Sequence, residues 1–268
     1  MRPLPLPAAS KAMPDAASNS VSAGWLALVT TPIGNLEDIT LRALRILREA
    51  DEIAAEDTRR AGILCQAHGI HARLTPYHAF NEHRRTAALL DAVAGGRKIA
   101  LLTDAGTPAI SDPGFLLVRE AVARGMEPQI IPGVSALTFA VVAAGLPVNE
   151  FAFLGFPPVK SGRRRTFLER IRTLGLTVFL FESPHRINKL LAEIAEVVGP
   201  ATQVALVREA TKMHEECLRG TAVELRDRFQ DRNWKGEFVV AVRPVEAGEP
   251  PPAENESSGA EFGDDPPV

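Results

Sequence analysis

The chain has 268 residues, of which 46% are hydrophobic and 24% charged, with a net charge of −3. That composition suits a globular protein of one or two domains with a mostly aliphatic core. The charge is unevenly spread: seven carboxylates and no Lys or Arg follow Val245, which leaves +4 on the rest, enough to permit an anionic partner without requiring one. Cys65 and Cys217 lie far apart without ligand-spaced neighbours, which argues against a disulfide framework or a zinc site and fits a reducing cytoplasm. No apolar run is long enough to span a bilayer, and the proline-broken first residues do not read as a secretory signal, so no membrane partner is expected.

Residues 1–23 are rich in Ala, Ser and Pro and are expected to be disordered, as is the acidic, Pro-rich segment 246–268. Between them, strand-like and helix-like runs alternate. A strand is expected at 26–29, a helix over 40–50 with Leu41, Leu44, Ile46 and Leu47 on one face, and a short strand at 53–55. A helix at 60–68 stops before Gly69, and another at 81–94 stops at Gly95-Gly96. Next come a strand at 99–102, a helix at 115–123, a strand at 128–131 and a small-residue helix at 135–144. Gly145-Leu146-Pro147 interrupts the pattern, so domains are expected at 24–146 and 147–245. The second half reads as a strand at 151–154, helix 163–174, strand 177–181, helix 184–198, and strands at 204–207 and 237–242. The expected class is α/β: two α/β/α domains, the first with a mostly parallel sheet and the second with a mixed one, and a ligand cleft between them.

The densest motif is Thr103-Asp104-Ala105-Gly106-Thr107-Pro108-Ala109-Ile110-Ser111-Asp112-Pro113-Gly114, at the C-terminal end of a strand. Ligands bind at such ends in open α/β sheets, and a connection of this length exceeds the usual few residues. Asp112-Pro113 reads as N-cap and first helical residue. Thr31-Pro32-Ile33-Gly34-Asn35-Leu36 follows the first strand and is neither a dinucleotide fingerprint nor a P-loop; it is a capped turn or a ligand loop. Glu56-Asp57-Thr58-Arg59-Arg60 follows the second strand, where Asp57 and Arg59 form either a cleft surface or a structural ion pair. Ser135 and Ala136 open a helix, as a cap or as a place of close ligand approach. Phe181-Glu182-Ser183-Pro184-His185-Arg186 puts polar groups at a helix N-terminus, where anions are favoured. Arg163, Arg164 and Arg165, with Lys160, Arg170 and Arg172, form a solvated helix face or an RNA-phosphate surface. The mixed-charge stretch 208–216 either positions a substrate or pairs internally. His68, His71, His78 and His83 lack tight metal spacing, and no metal is assigned.

Taken together, these strings, with Phe153-Leu154-Gly155-Phe156, Arg208-Glu209, Thr211-Lys212 and Lys235-Gly236-Glu237 in the same order, resemble a known family over about residues 25–243. It is that of the bacterial enzymes that methylate a cytidine 2′-oxygen in small-subunit (16S) ribosomal RNA, a branch of the tetrapyrrole-methylase-like methyltransferases. The resemblance implies S-adenosylmethionine as methyl donor, no metal, a homodimer and a cytoplasmic location. It places Pro32, Asp104, Gly106, Thr107, Ile110, Ser111, Ser135 and Ala136 at the donor, with Phe181, Lys235 and Gly236 joining from the second half. Candidates for the general base are Glu56, Asp57, Glu182 and His185; candidates for RNA contact are Arg59, Arg163, Arg164, Arg165 and Arg186. Many relatives carry a basic helical extension where this chain has its acidic tail. A tetrapyrrole methyltransferase of the same fold, or a non-catalytic RNA-binding protein, are the alternative readings.

Overall fold

A computed structural model describes residues 24–245; the expectations for 1–23 and 246–268 lie outside the described residues. By its contacts the chain forms two units. Among the described residues the first comprises 24–30 and Thr40–Pro132, and the second comprises Thr31–Ile39 and 133–245.

The first unit alternates strand and helix: β1 (Trp25–Val29), α1 (Leu41–Glu49), β2 (Glu52–Ala55), α2 (Thr58–Ala67), β3 (Arg73–Pro76), α3 (Glu82–Ala94), β4 (Lys98–Leu102), α4 (Phe115–Ala123) and β5 (Gln129–Ile131). The sheet is parallel throughout, in the order β3-β2-β4-β1-β5, with Leu26 opposite Ile99 and Leu28 opposite Ile130. The inner strands are apolar on both faces because helices cover both: Ala27, Val29, Ile53, Ala54, Ile99 and Leu101 have essentially no exposure. Neighbouring β1 and β4 send their chains to opposite sides of the sheet, so their C-terminal ends form a switch point, where open α/β sheets bind ligands.

The second unit contains α5 (Ala136–Ala143), β6 (Phe151–Phe153), α6 (Ser161–Leu174), β7 (Thr177–Glu182), a 3-10 turn (Pro184–Arg186), α7 (Ile187–Val197), β8 (Gln203–Arg208), β9 (Glu216–Thr221), α8 (Ala222–Phe229) and β10 (Phe238–Arg243). Its sheet runs β6-β7-β10-β8-β9, with β6 parallel to β7 and the other pairs antiparallel. Leu168, Ile171, Leu180, Ile194, Leu206 and Val240 fill its core, and Trp234 donates its indole N–H to Asn188 Oδ1 at 2.6 Å. Thr221 and Glu224 close a capping box at the start of α8. The α/β class, the parallel first sheet and the mixed second sheet are as expected.

Some elements differ from the sequence reading. β3 and β9 are edge strands without a continuous apolar run, and α8 follows β9 directly; the sequence pattern marks none of the three. Asp112-Pro113 does not start α4: the helix begins at Phe115, and Gly114 at φ 132° stands at its N-cap. A Cβ on Gly114 would sit 3.1 Å from the Leu101 side chain in a conformation that L-residues avoid, so the turn is completed by glycine two residues later. The helix before Gly145-Leu146-Pro147 packs on β10 and β7, so by contacts residues 133–144 group with the second unit.

Candidate functional site

In the first unit the polar loops after β2 and β4 meet. Asp104 accepts the backbone N–H of Asp57 at 3.0 Å, its own N–H reaches Glu56 Oε2 at 3.4 Å, and Arg60 lies 3.5 Å from its carboxylate. Thr107 bonds Thr30 at the end of β1, Oγ1 to Oγ1, at 3.2 Å. Loop 103–114 holds an unusual backbone: Gly106 and two non-glycine residues, Ala109 (φ 73°) and Ser111 (φ 65°), are left-handed. For non-glycine residues such conformations cost of order 1–3 kcal/mol each, and they gather where a structure must hold a ligand or a switch. The loop is closed on itself by Ala109 N–H to Pro113 O at 3.1 Å and Ile110 N–H to Thr107 O at 3.2 Å. Gly106 is buried, Asp104 and Thr107 are half-buried, and Ile110 and Ser111 are exposed.

The acidic groups here differ sharply as bases. Burial raises the Glu56 carboxyl, outweighing the lowering effect of the Asp104 N–H. Asp57 is held far below the usual carboxylate range because Arg59 donates to it from its side chain and its backbone N–H. Asp57 is also the N-cap of α2, so of its two sequence readings the structure supports the ion pair. Arg60, which pairs with Asp104, is a neighbour that the sequence pattern alone does not distinguish from Arg59.

In the second unit, three distant segments interlock. Lys212 Nζ donates to Glu209 Oε1 and Glu237 Oε2, both at 2.9 Å, and Glu237 N–H donates to Glu209 Oε1 at 2.9 Å. Partial burial works against the charge on Lys212, but these two carboxylates outweigh it and raise the amine. A Cβ on Gly34 would lie 2.2 Å from Lys212 Cγ, and one on Gly236 2.5 Å from Glu209, so neither glycine has room for a side chain. Glu209 (φ 50°) and Thr211 (φ 65°) are again left-handed without being glycine. Gly34 and Gly236 thus both pack against the 209–212 segment. The mixed-charge stretch 208–216 is visible in the sequence, but its partners are not.

Ser135 is the N-cap of α5 without a side-chain cap bond, and Ser135 and Ala136 are both partly exposed. Glu182 ends β7 fully buried; its Oε1 accepts from Ser183 N–H at 2.6 Å and from Arg186 at 2.5 Å, and its Oε2 has no partner. Burial raises this carboxyl too, with Ser183 and Arg186 opposing. His185 is exposed on the 3-10 turn, beside the half-buried Phe181 strand end.

The basic run needs a correction. Arg164 does not face solvent: it is 2% exposed, shares a face of α6 with Leu168 and Ile171, and is chelated by Glu193 through Nε and Nη2. Arg165 pairs with Glu196 at 2.7 Å, and Arg186 is tied to Glu182. Arg163 is exposed and has no ion pair among the described residues. Among the described residues no helix is long and apolar enough to cross a membrane.

Residues 26–226 match the profile of the tetrapyrrole (corrin/porphyrin) methylases. The chain is 46% identical over 230 residues to ribosomal RNA small subunit methyltransferase I of Mesorhizobium japonicum, covering 85% of this chain and 78% of that protein. It is 44% identical over 219 residues to the protein of the same name from Halalkalibacterium halodurans, covering 82% and 75%. The crystal structure of uroporphyrin-III-C-methyltransferase from Thermus thermophilus is similar in fold, with TM-score 0.58, 24% identity, and coverage of 82% of this chain and 94% of that one. The polar loops at the strand ends thus sit on a methylase fold, and the chain belongs to the tetrapyrrole methylase family, in the branch of the ribosomal RNA small subunit methyltransferases I.

Proposed function

We propose that this protein transfers a methyl group from S-adenosylmethionine to the ribose 2′-oxygen of a cytidine in 16S ribosomal RNA. The observation that carries the reading is the left-handed, self-bonded loop 103–114 at the switch point, in a chain 46% identical to a ribosomal RNA methyltransferase. A homodimer working on the small ribosomal subunit in the cytoplasm belongs to the same reading and rests on the family resemblance.

The residues fit the donor. S-adenosylmethionine supplies a methyl group on a positively charged sulfur, already activated for displacement, so the reading assigns no metal. Asp104 and Glu56 offer carboxylates that favour a cation, and buried Gly106, with Ser135 and Ala136, offers close backbone approach. Thr107, Ile110 and Ser111 of the first unit and Pro32, Phe181, Lys235 and Gly236 of the second complete the proposed donor set.

A ribose hydroxyl is a poor nucleophile until it loses its proton, so a positioned base accelerates the displacement. Glu56 is the best of the four candidates. Burial raises its affinity for a proton, whereas Asp57 is saturated by Arg59, Glu182 is locked to Arg186, and His185 is on an exposed turn. With S-adenosylmethionine bound, the ribose oxygen would take the methyl group that the sulfonium supplies, and Glu56 would take the hydroxyl proton. For RNA contact, Arg163 and the outward-facing Arg59 and Arg165 remain, while Arg164 and Arg186 serve the fold.

The test presents the purified chain and methyl-labelled S-adenosylmethionine with small ribosomal subunits, naked 16S RNA and a porphyrinogen-type tetrapyrrole. Label in RNA is expected. Label in the tetrapyrrole alone would overturn the reading.

A further inference from the structure

Gly155 to Lys160 connect β6 to α6, and this loop is fastened unusually firmly. Gly155, left-handed at φ 65°, accepts the N–H of Phe181 at 3.0 Å and so prolongs the pairing of β6 with β7. Arg186 then donates to Pro157 O at 3.4 Å, and the buried Arg164 donates to Pro158 O at 3.1 Å and Val159 O at 2.8 Å. Three consecutive carbonyls are thus bonded to two guanidiniums, which are themselves neutralised by Glu182 and Glu193. Buried ion pairs are a costly way to hold a loop unless its shape matters.

The loop presents an aromatic ring to solvent. Phe156 is 54% exposed, while Pro157 beside it is buried. Its ring leans on Phe181 with centroids 5.6 Å apart, and Phe181 in turn packs edge-on against Phe153 at 4.8 Å. The ring is therefore braced from beneath with part of its surface open. Lys160 and Arg163, four and seven residues further on, are exposed and carry no ion pair among the described residues. Their neighbours Arg164 and Arg165 are both neutralised by glutamates.

We infer that Phe156 is a stacking platform for an unpaired nucleobase of the RNA substrate, with Lys160 and Arg163 taking the flanking phosphates. A braced ring next to uncompensated cations is the combination that single-stranded nucleic acid recognises: base on ring, phosphate on cation. A protein partner that merely covered an apolar residue would not require the two adjacent cations to stay unpaired. The inference rests on the RNA-methyltransferase reading above and adds where, and in what form, the RNA is held.

The test compares the full chain with Phe156→Ala, Phe156→Trp and Lys160→Ala/Arg163→Ala for binding to a single-stranded 16S RNA fragment across a salt series. Phe156→Ala should weaken binding roughly tenfold, the scale of one missing base stack, with an unchanged salt slope. Lys160→Ala/Arg163→Ala should flatten the log–log slope by about 0.7 for each phosphate that is no longer neutralised. Phe156→Trp should keep the affinity, and its added fluorescence over native Trp25 and Trp234 should be quenched as RNA binds.

Parent-like affinity in Phe156→Ala, or an unquenched tryptophan at saturating RNA, would overturn the inference while leaving the methyltransferase reading standing. So would a Phe156→Ala protein that changes only its self-association on ultracentrifugation. A parent chain that neither binds nor methylates RNA would overturn both.

Discussion

The Asp104 carboxylate accepts the backbone N–H of Asp57 at 3.0 Å, so the loop after β4 is anchored directly to the loop after β2. One side chain thereby fixes the spacing of two strand ends and keeps a negative charge between them, with Arg60 3.5 Å away. Asp104→Asn should retain the acceptor, and with it the melting temperature, but lose the charge that favours a cationic donor. Asp104→Ala should lose both, with a stability cost of about 1 kcal/mol and S-adenosylmethionine binding at least as weak as that of Asp104→Asn. Calorimetric titration and thermal melts separate the two effects.

Glu56 sets the expected pH dependence. Its carboxyl is raised by burial, so the acid limb of kcat/KM should lie above the ordinary glutamate value and vanish in a severely impaired Glu56→Gln. Asp57→Asn should keep the limb in place. The stability sign runs the other way. A carboxyl that binds its proton more tightly when folded loses stability as pH rises from its unfolded value through its folded one. Glu56→Gln should therefore melt at or above the parent temperature at neutral pH.

Adjacent arginines of α6 should behave in opposite ways. Arg164→Ala strands Glu193 inside the protein and should cost about 3–5 kcal/mol. Because Arg164 lowers the Glu193 carboxyl, that stabilisation is full above the ordinary glutamate value and fades as pH falls through the folded one. Arg163→Ala should leave the unfolding free energy within about 0.5 kcal/mol of the parent while reducing the RNA salt slope by about 0.7–0.9.

The parallel sheet is legible in the sequence because its inner strands are buried on both faces and appear as continuous apolar runs. Edge strands β3 and β9 carry no such run: β3 has one buried residue and ends in proline, and β9 mixes charges. Loop 103–114 declares itself through its length and composition. The burial of Arg164 is masked by the charged run around it, although residues 164, 168 and 171 follow a helical spacing and share the buried face. The Glu209–Lys212–Glu237 lock is out of reach of the sequence, because it joins segments more than twenty residues apart that only the folded sheet brings together.

That lock yields a coupled pair of substitutions. Gly34→Ala places a methyl group 2.2 Å from Lys212 Cγ and should destabilise by about 1–3 kcal/mol. Lys212→Ala removes the obstacle, so Gly34→Ala should cost markedly less in that background, with a coupling of about 0.5–3 kcal/mol by denaturant titration. Equal costs in the two backgrounds would show that the loop after β1 is not held by Lys212.

Which atom receives the methyl group can be read by nucleoside mass spectrometry of 16S RNA from small subunits treated with the enzyme and S-adenosylmethionine. A ribose acceptor gives 2′-O-methylcytidine at a single site, with that phosphodiester bond now resistant to alkali and no product from Glu56→Gln at comparable times. A methyl group on the cytosine base, on another nucleoside, or on no RNA at all would overturn the ribose 2′-oxygen as acceptor.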